Sequence, residues 1–365
     1  MMKLLIISPT AGLFGGTERV LEILISQIGP DSGMRLVFLT DGPLVNMARG
    51  REIPCDLIER GRFSNPVDTF RVVRALRRVI REHDAAVAFS WTDMAQLYAA
   101  PASWGQCKSL WWQRANVDEG MIARLCKWFP SSGAIANSKF TRDQLRDLGF
   151  QVAEQPLYPP FDATKFKDVG DRDTLRRRLG VPENRYIVGS VGRMQAWKGF
   201  DTIVDGIAKV RESRPDVFGL IVGGRHDLEP EYESQLRERI ATLGLTEHIM
   251  LTGSQRNVAE WMKAMDVFVH AAEREPFGIV VPEAMALGLP VIASIPGGPS
   301  EAIEPEVSGL LVHSSEVAEL TKAIFALQTN PSVADQLGCR AKQRSLKFSS
   351  NGFFDRLKDA VSSCV

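Results

Sequence analysis

The chain has 365 residues, 44% hydrophobic and 24% charged, which is the make-up of a globular protein too long for a single core. Lysine plus arginine and aspartate plus glutamate both number 44, so no global charge draws it to nucleic acid, and any pull toward phosphate or a membrane has to be local. Five scattered cysteines (Cys55, Cys107, Cys126, Cys339, Cys364) without metal-type pairing predict reduced thiols in a cytoplasmic protein. The short run Leu4 to Ile7 gives way at once to Ser8-Pro9-Thr10, unlike a signal peptide, and no apolar stretch approaches the roughly 20 residues that span a bilayer.

The first half alternates short apolar runs with amphipathic stretches. Residues 3–8 predict a buried strand, and 17–28 a helix capped by Thr17 with Val20, Leu21, Leu24 and Ile28 on one face. Further strands are predicted over 35–40, 86–90, 109–112 and 133–136, with helices over 66–82, 93–100, 118–128 and 138–148. Tyr158-Pro159-Pro160-Phe161-Asp162 breaks the pattern, because two prolines cannot continue a helix or a central strand. A second alternation follows. Its strands are predicted over 187–191, 217–222, 249–251, 267–270, 290–293 and 310–312. Its helices are predicted over 200–213, 231–243, 258–264, 279–287 and 317–327, and helical sequence from 333 to 361 closes the chain. Strands alternating with helices imply doubly wound parallel sheets. The expected architecture is α/β, with two Rossmann-like domains facing a cleft and ligands at the carboxyl ends of the strands.

Four segments carry the residue types that chemistry needs. Glu275-Pro276-Phe277-Gly278-Ile279-Val280-Val281-Pro282-Glu283 places two acids around a helix start. The backbone N–H groups of Phe277, Gly278 and Ile279 would favour an anion there, and carboxylates suit vicinal sugar or ribose hydroxyls. Gly192-Arg193-Met194-Gln195-Ala196-Trp197-Lys198-Gly199 offers a planar donor fork and a mobile ammonium, a pair that suits a diphosphate. Thr10-Ala11-Gly12-Leu13-Phe14-Gly15-Gly16-Thr17-Glu18 is a Gly-rich turn after the first strand, without the spacing of a dinucleotide fingerprint. Residues 290–301 run from a strand into Gly297-Gly298-Pro299-Ser300-Glu301. Each has a plainer reading: acids near a helix dipole, two solvated charges, or a tight turn.

Taken together and in this order, the four segments resemble glycosyltransferase family 4, a group of retaining glycosyltransferases with the GT-B fold. The likeness covers nearly the whole chain and includes Ala136-Asn137-Ser138 and Phe161-Asp162. The Tyr158-Pro159-Pro160 variant is similar to that of several mannosyltransferases of the group. The resemblance implies an acceptor-side domain over 1–162, a nucleotide-sugar domain over 163–345 and a C-terminal helix, 346–365, packing back on the first. It implies that Glu283 binds ribose, that Glu275 faces the donor sugar, and that Phe277, Gly278 and Ile279 contact sugar and phosphate. Arg193 and Lys198 would neutralise the diphosphate, Gly15 and Gly16 would close on it, and 254–258, with Arg256 and Val258, would border the base. Catalysis would then rest on Glu275, Arg193 and Lys198.

The usual acceptor-side histidine is absent. Leu110-Trp111-Trp112-Gln113-Arg114-Ala115-Asn116 stands in that region, so Gln113 or Arg114 is the candidate. The family's reaction needs no resident cofactor, only a GDP- or UDP-sugar as co-substrate, with a glycan or lipid-linked acceptor. No metal is expected, because Asp171-Arg172-Asp173 reads as a helix cap rather than as the Asp-x-Asp of metal-dependent transferases. Arg71, Arg74, Arg77, Arg78 and Arg81 share a helix with Val72, Val73, Leu76, Val79 and Ile80. Two readings stand: peripheral contact with anionic membrane at the inner face of the cell membrane, or an ordinary surface helix with its apolar stripe in the core. Competing classes are a GT-B nucleotide-sugar epimerase and a nucleotide-sugar-binding protein without transfer activity.

Overall fold

A computed structural model describes residues 2–13, 15–117, 126 and 133–364. The chain divides into two compact units, Met1–Pro160 with Ser350–Val365, and Phe161–Ser349. The change of unit after Pro160 falls on the double proline that interrupts the sequence pattern.

The first unit holds six parallel strands in the order β3-β2-β1-β4-β5-β6. They are β1 Leu4–Ser8, β2 Met34–Phe38, β3 Cys55–Leu57, β4 Val87–Ser90, β5 Lys108–Gln113 and β6 Gly133–Ala136. Every residue of β1, β4 and β6 is buried, as parallel strands covered on both faces require. The second unit repeats the plan with β12-β11-β10-β7-β8-β9, again parallel. Its strands are β7 Tyr186–Val191, β8 Val217–Val222, β9 Ile249–Leu251, β10 Val267–His270, β11 Val291–Ile295 and β12 Leu310–His313. Strand order therefore reverses between β1 and β4 in one sheet, and between β7 and β10 in the other. Loops leaving the carboxyl ends of two such strands diverge and open a crevice where ligands bind in doubly wound sheets.

Local chemistry explains most helix boundaries. Asn65 caps Pro66–His83 by accepting from the Val67 N–H at 3.0 Å, with proline at the first position. Ser138 caps Lys139–Asp147 through the Thr141 N–H at 3.0 Å. Asp171 caps Arg172–Leu179 through the Thr174 N–H at 3.0 Å, so the Asp-x-Asp pattern is a cap. The expectation for Thr17 is corrected: the first helix is Gly16–Gln27, Gly15 precedes it as the cap, and Thr17 lies inside. Glu18 folds back over the helix start, bound by Thr10 Oγ1 at 2.8 Å. A Cβ on Gly15 would stand 2.4 Å from the Glu18 carboxylate, which would have to swing aside to admit it.

Two further departures have physical causes. The helix Pro43–Gly50 and the strand β3 were not anticipated; both are too short to show a period. The predicted helix over 118–128 lies outside the described residues, apart from Cys126. The closing helical stretch is two helices, Pro331–Ser345 and Phe353–Ser362, because Ser349-Ser350-Asn351-Gly352 breaks the ladder and Gly352 caps the second in the left-handed region. Phe353 of that last helix is buried with its ring 5.9 Å from Trp112, and its Phe354 N–H reaches Gln27 at 3.3 Å. It thus packs on the first unit. Val72, Leu76, Val79 and Ile80 of Pro66–His83 lie in the core, which settles the direction of that helix's apolar stripe.

Asp266, just before β10, fixes β10 to β7. Its carboxylate meets Arg172 at 2.9 Å, buried Arg176 at 2.7 Å and the Ile187 N–H at 2.7 Å, while its own N–H donates to Ile187 O at 2.9 Å. Removing one partner of a buried pair strands the other charge. Asp266→Ala is expected to cost about 3 kcal/mol of stability, read as a lowered urea midpoint with an unchanged slope. A loss within about 0.5 kcal/mol would show that this network holds neither strand.

Candidate functional site

In the second unit the candidate residues collect where strand order reverses. After β7 the chain runs through Gly192 and Arg193 into a short turn, Ala196–Lys198, and then the helix Phe200–Arg211. Glu229 pins this loop, accepting from the Ala196 N–H at 2.8 Å and from Gln195 Nε2 at 3.2 Å. After β10 the loop 271–279 leads to the helix Val280–Ala286. The two loops are tied together by the Glu273 N–H, which donates to Trp197 O at 2.8 Å.

That tie sets Lys198 beside Glu275. The Lys198 ammonium donates to Glu275 Oε2, with the two side chains only 14% and 12% exposed. The same ammonium lies 4.0 Å from the centre of the Trp197 ring, a cation–π contact that holds the charge in place. His270, the last residue of β10, brings Nε2 to 3.5 Å from Glu275 Oε2. Gly278 completes the group in a left-handed conformation (φ +72°); a Cβ there would stand 3.0 Å from Pro299, 3.2 Å from Glu275 and 3.3 Å from His270 Nε2. The Gly298 N–H donates to Glu275 O at 2.8 Å, fixing the backbone of the acid from the loop after β11.

The electrostatics follow from this packing. Burial on its own would raise the Glu275 carboxyl, but the Lys198 charge and hydrogen bond, with His270 adding to them, outweigh it and hold the group down to about 2. Glu275 is therefore an anion at neutral pH, and the cluster is an ion pair rather than an acid.

The structure does not draw every candidate into that cluster. Glu283 is buried in the helix Val280–Ala286, where Pro282 is accommodated in the first turn. Phe277 is buried beside Phe348, with ring centres 5.6 Å apart, and Ile279 is the cap of the helix. Arg193 is exposed and meets His226 Nε2 at 3.1 Å instead of joining Lys198 and Glu275. Arg256 is exposed in the loop after β9, and Val258 opens the helix Val258–Lys263.

In the first unit, Gly15 and Gly16 form the turn between β1 and its helix. Gln113 is buried at the end of β5 with its amide spent internally, donating to Ala115 O at 3.1 Å and accepting from Trp111 Nε1 at 3.2 Å. Arg114 donates to Gly16 O at 3.0 Å and Thr17 O at 3.2 Å, and its guanidinium lies 4.5 Å from the Trp112 ring centre. Burial pushes it down to about 9, against the pull of Glu18, so it stays charged at neutral pH. His270 is the site residue that motif reading passed over; its signal was a polar residue closing an apolar strand just before the acidic loop.

A depressed carboxylate stabilises the folded state only where the unfolded chain would also ionise it. The contribution of Glu275 is thus fully present above about pH 4.3, and is lost as pH falls from there toward about 2. The stability difference between wild type and Glu275→Gln is expected to shrink across that window in urea melts taken at successive pH values. A difference independent of pH would mean that the pair does not hold the carboxyl down.

Residues 171–344 match the model of the family described as Glycosyl transferases group 1. The lipopolysaccharide core biosynthesis mannosyltransferase LpsB of Rhizobium meliloti is 32% identical over 45% of this chain and 48% of its own length. D-inositol 3-phosphate glycosyltransferase 1 of Catenulispora acidiphila is 30% identical over 63% of this chain and 57% of its own. The chain spans about half the length of these curated relatives. The structure of Anabaena HepE in complex with UDP and glucose aligns over 100% of both chains with a TM-score of 0.82 at 22% identity, a likeness of fold. Residues 171–344 thus match the Glycosyl transferases group 1 model, in a chain with the two-domain α/β fold seen in the GT-B glycosyltransferases.

Proposed function

We propose that the chain is a retaining glycosyltransferase of family 4. It moves a hexose, with mannose the first candidate, from a GDP- or UDP-sugar to a glycan, lipid-linked or small-molecule acceptor in cell-surface polysaccharide or glycolipid synthesis. The observation that carries this reading is the buried Lys198–Glu275 pair beside Gly278, at the carboxyl ends of β7 and β10. LpsB, a mannosyltransferase, supports mannose, and the UDP bound to HepE supports a nucleoside diphosphate.

The demanding step is departure of the diphosphate, on which negative charge grows as the sugar becomes oxocarbenium-like. Lys198 supplies a fixed cation for that charge. Arg193, exposed beside His226, can turn its guanidinium to the same phosphates. Glu275 has no proton to give at neutral pH, so its role is to accept donor-sugar hydroxyls and to stabilise positive charge at the reacting carbon. As the resemblance to the family implies, the leaving phosphate takes the acceptor proton, on the face from which it departs. Glu283 binds the ribose, Arg256 and Val258 border the base, and Gly15 and Gly16 meet the phosphates. Gln113 or Arg114 serves the acceptor. The co-substrate is the nucleotide sugar, with no resident cofactor or metal.

Lys198→Ala and Glu275→Ala are each expected to lower transfer from labelled GDP-mannose or UDP-glucose by about 100- to 1,000-fold, with the fold retained by circular dichroism. Near-wild-type turnover in both variants would contradict the assignment. Product NMR showing an inverted anomeric centre would remove the retaining mechanism alone, and donor conversion without acceptor would point to an epimerase.

We place the protein in the cytoplasm, at the inner face of the membrane. Among the described residues no helix is long and apolar enough to cross a bilayer. The outer face of Pro66–His83 carries Val67 and Phe70, 72% and 68% exposed, in line with Arg71, Arg74, Arg78 and Arg81. Apolar anchors beside arginines suit an anionic lipid surface. Co-sedimentation with phosphatidylglycerol vesicles is expected to exceed that with phosphatidylcholine, to fall with salt, and to drop in Arg74→Glu/Arg78→Glu. Equal sedimentation with both lipids would remove the membrane contact.

A further inference from the structure

His270 is buried to 4% exposure, and neither ring nitrogen makes a well-formed hydrogen bond, the nearer contact being the long 3.5 Å from Nε2 to Glu275 Oε2. A buried imidazole so poorly satisfied is costly, so its place in the cluster calls for a use. Ala293 pairs with it across β11, Gly278 lies so close that a Cβ there would stand 3.3 Å from Nε2, and the charged group against it is Glu275, which in turn meets Lys198.

Lys198 faces two demands. It is the cation that neutralises buried Glu275, and on the function proposed above it is also the cation that a diphosphate recruits. A single ammonium drawn toward two phosphate charges leaves Glu275 short of its counter-charge in a dry setting, where an unpaired carboxylate is costly. The nearest group able to supply a replacement charge is the imidazole 3.5 Å away.

We propose that His270 is a positioning residue that takes a proton from solvent when a nucleoside diphosphate engages Lys198, and that the resulting imidazolium holds Glu275 through Nε2–H as the second counter-ion. The inference rests on the proposed function in one respect, that a diphosphate binds at Lys198. No bond is made or broken beyond the N–H on the imidazole. Neutral His270 points one N–H or one lone pair at Glu275 according to tautomer; the imidazolium donates from both nitrogens and so fixes the carboxylate in a single direction. Linkage then requires binding to tighten as pH falls, by up to about tenfold per pH unit.

The test is calorimetric titration of UDP and of GDP into the full chain near neutral pH, in two buffers of different ionisation enthalpy, repeated for His270→Asn and His270→Gln. Protonation of the nucleotide itself is common to all three proteins, so the difference between wild type and variant isolates His270. The expected result is net proton uptake by wild type that both variants lose, with affinity in the variants no longer rising toward low pH. Nucleotide binding with the same proton count in wild type and in a folded variant overturns the inference and leaves the proposed function standing. Wild-type binding with no dependence on buffer does the same, whether or not the variants fold. Failure of both nucleotides to bind wild type overturns both.

Discussion

A lysine and a glutamate, both nearly out of contact with water, face each other where strand order reverses in the second sheet. Such a pair is an expensive thing to bury. Each ion loses its hydration, and their attraction returns that loss only in good geometry, so apolar side chains of equal volume would often stabilise the fold as well or better. Stability therefore does not explain why Lys198 and Glu275 are there. A site that must hold one fixed cation and one fixed anion, ready for a ligand carrying both kinds of partner, does explain it, because preorganised charges in a dry pocket act on a ligand without first shedding water.

The rest of the second unit serves that juxtaposition. β7 and β10 are neighbours only because the sheet winds outward in both directions from β7, and their outgoing loops part at the carboxyl ends. Asp266 clamps the start of β10 to β7, Trp197 and Glu273 join the two loops by backbone, and Glu229 anchors the first of them. Gly278 turns the chain in a conformation that other residues adopt with strain, and lets Glu275 and His270 approach the backbone closely. The first unit repeats the plan, with the Gly15-Gly16 turn after β1. There Arg114, stacked on Trp112, braces the first helical carbonyls.

Much of this was legible in the sequence, for physical reasons that differ from element to element. Parallel strands buried on both faces read as unbroken apolar runs, so β8, β9, β10 and β6 were placed to the residue. The Asp171 cap, whose side chain bonds the backbone, was also visible. The Gly15 cap was not, because its cause is tertiary: a carboxylate three residues on, bound by Thr10. The short helix Pro43–Gly50 and three-residue β3 carry too little pattern. Lys198 and Glu275 stood out as residue types in a known order, yet their direct pairing was not predicted, since nothing local brings residues 77 apart into one hydrogen bond. Arg193 was grouped with them by sequence and lies instead against His226. His270 was hidden for the opposite reason: a histidine closing an apolar strand looks like a core residue until its poorly satisfied ring nitrogens are seen.

The central claim is that the buried pair is the seat of a nucleoside diphosphate. A crystal structure of the chain with UDP or GDP tests it most directly. The account predicts a phosphate oxygen within hydrogen-bonding distance of Lys198 Nζ, with Glu275 still ionised beside it. A well-ordered nucleotide bound elsewhere, with the Lys198–Glu275 pair untouched, would contradict it.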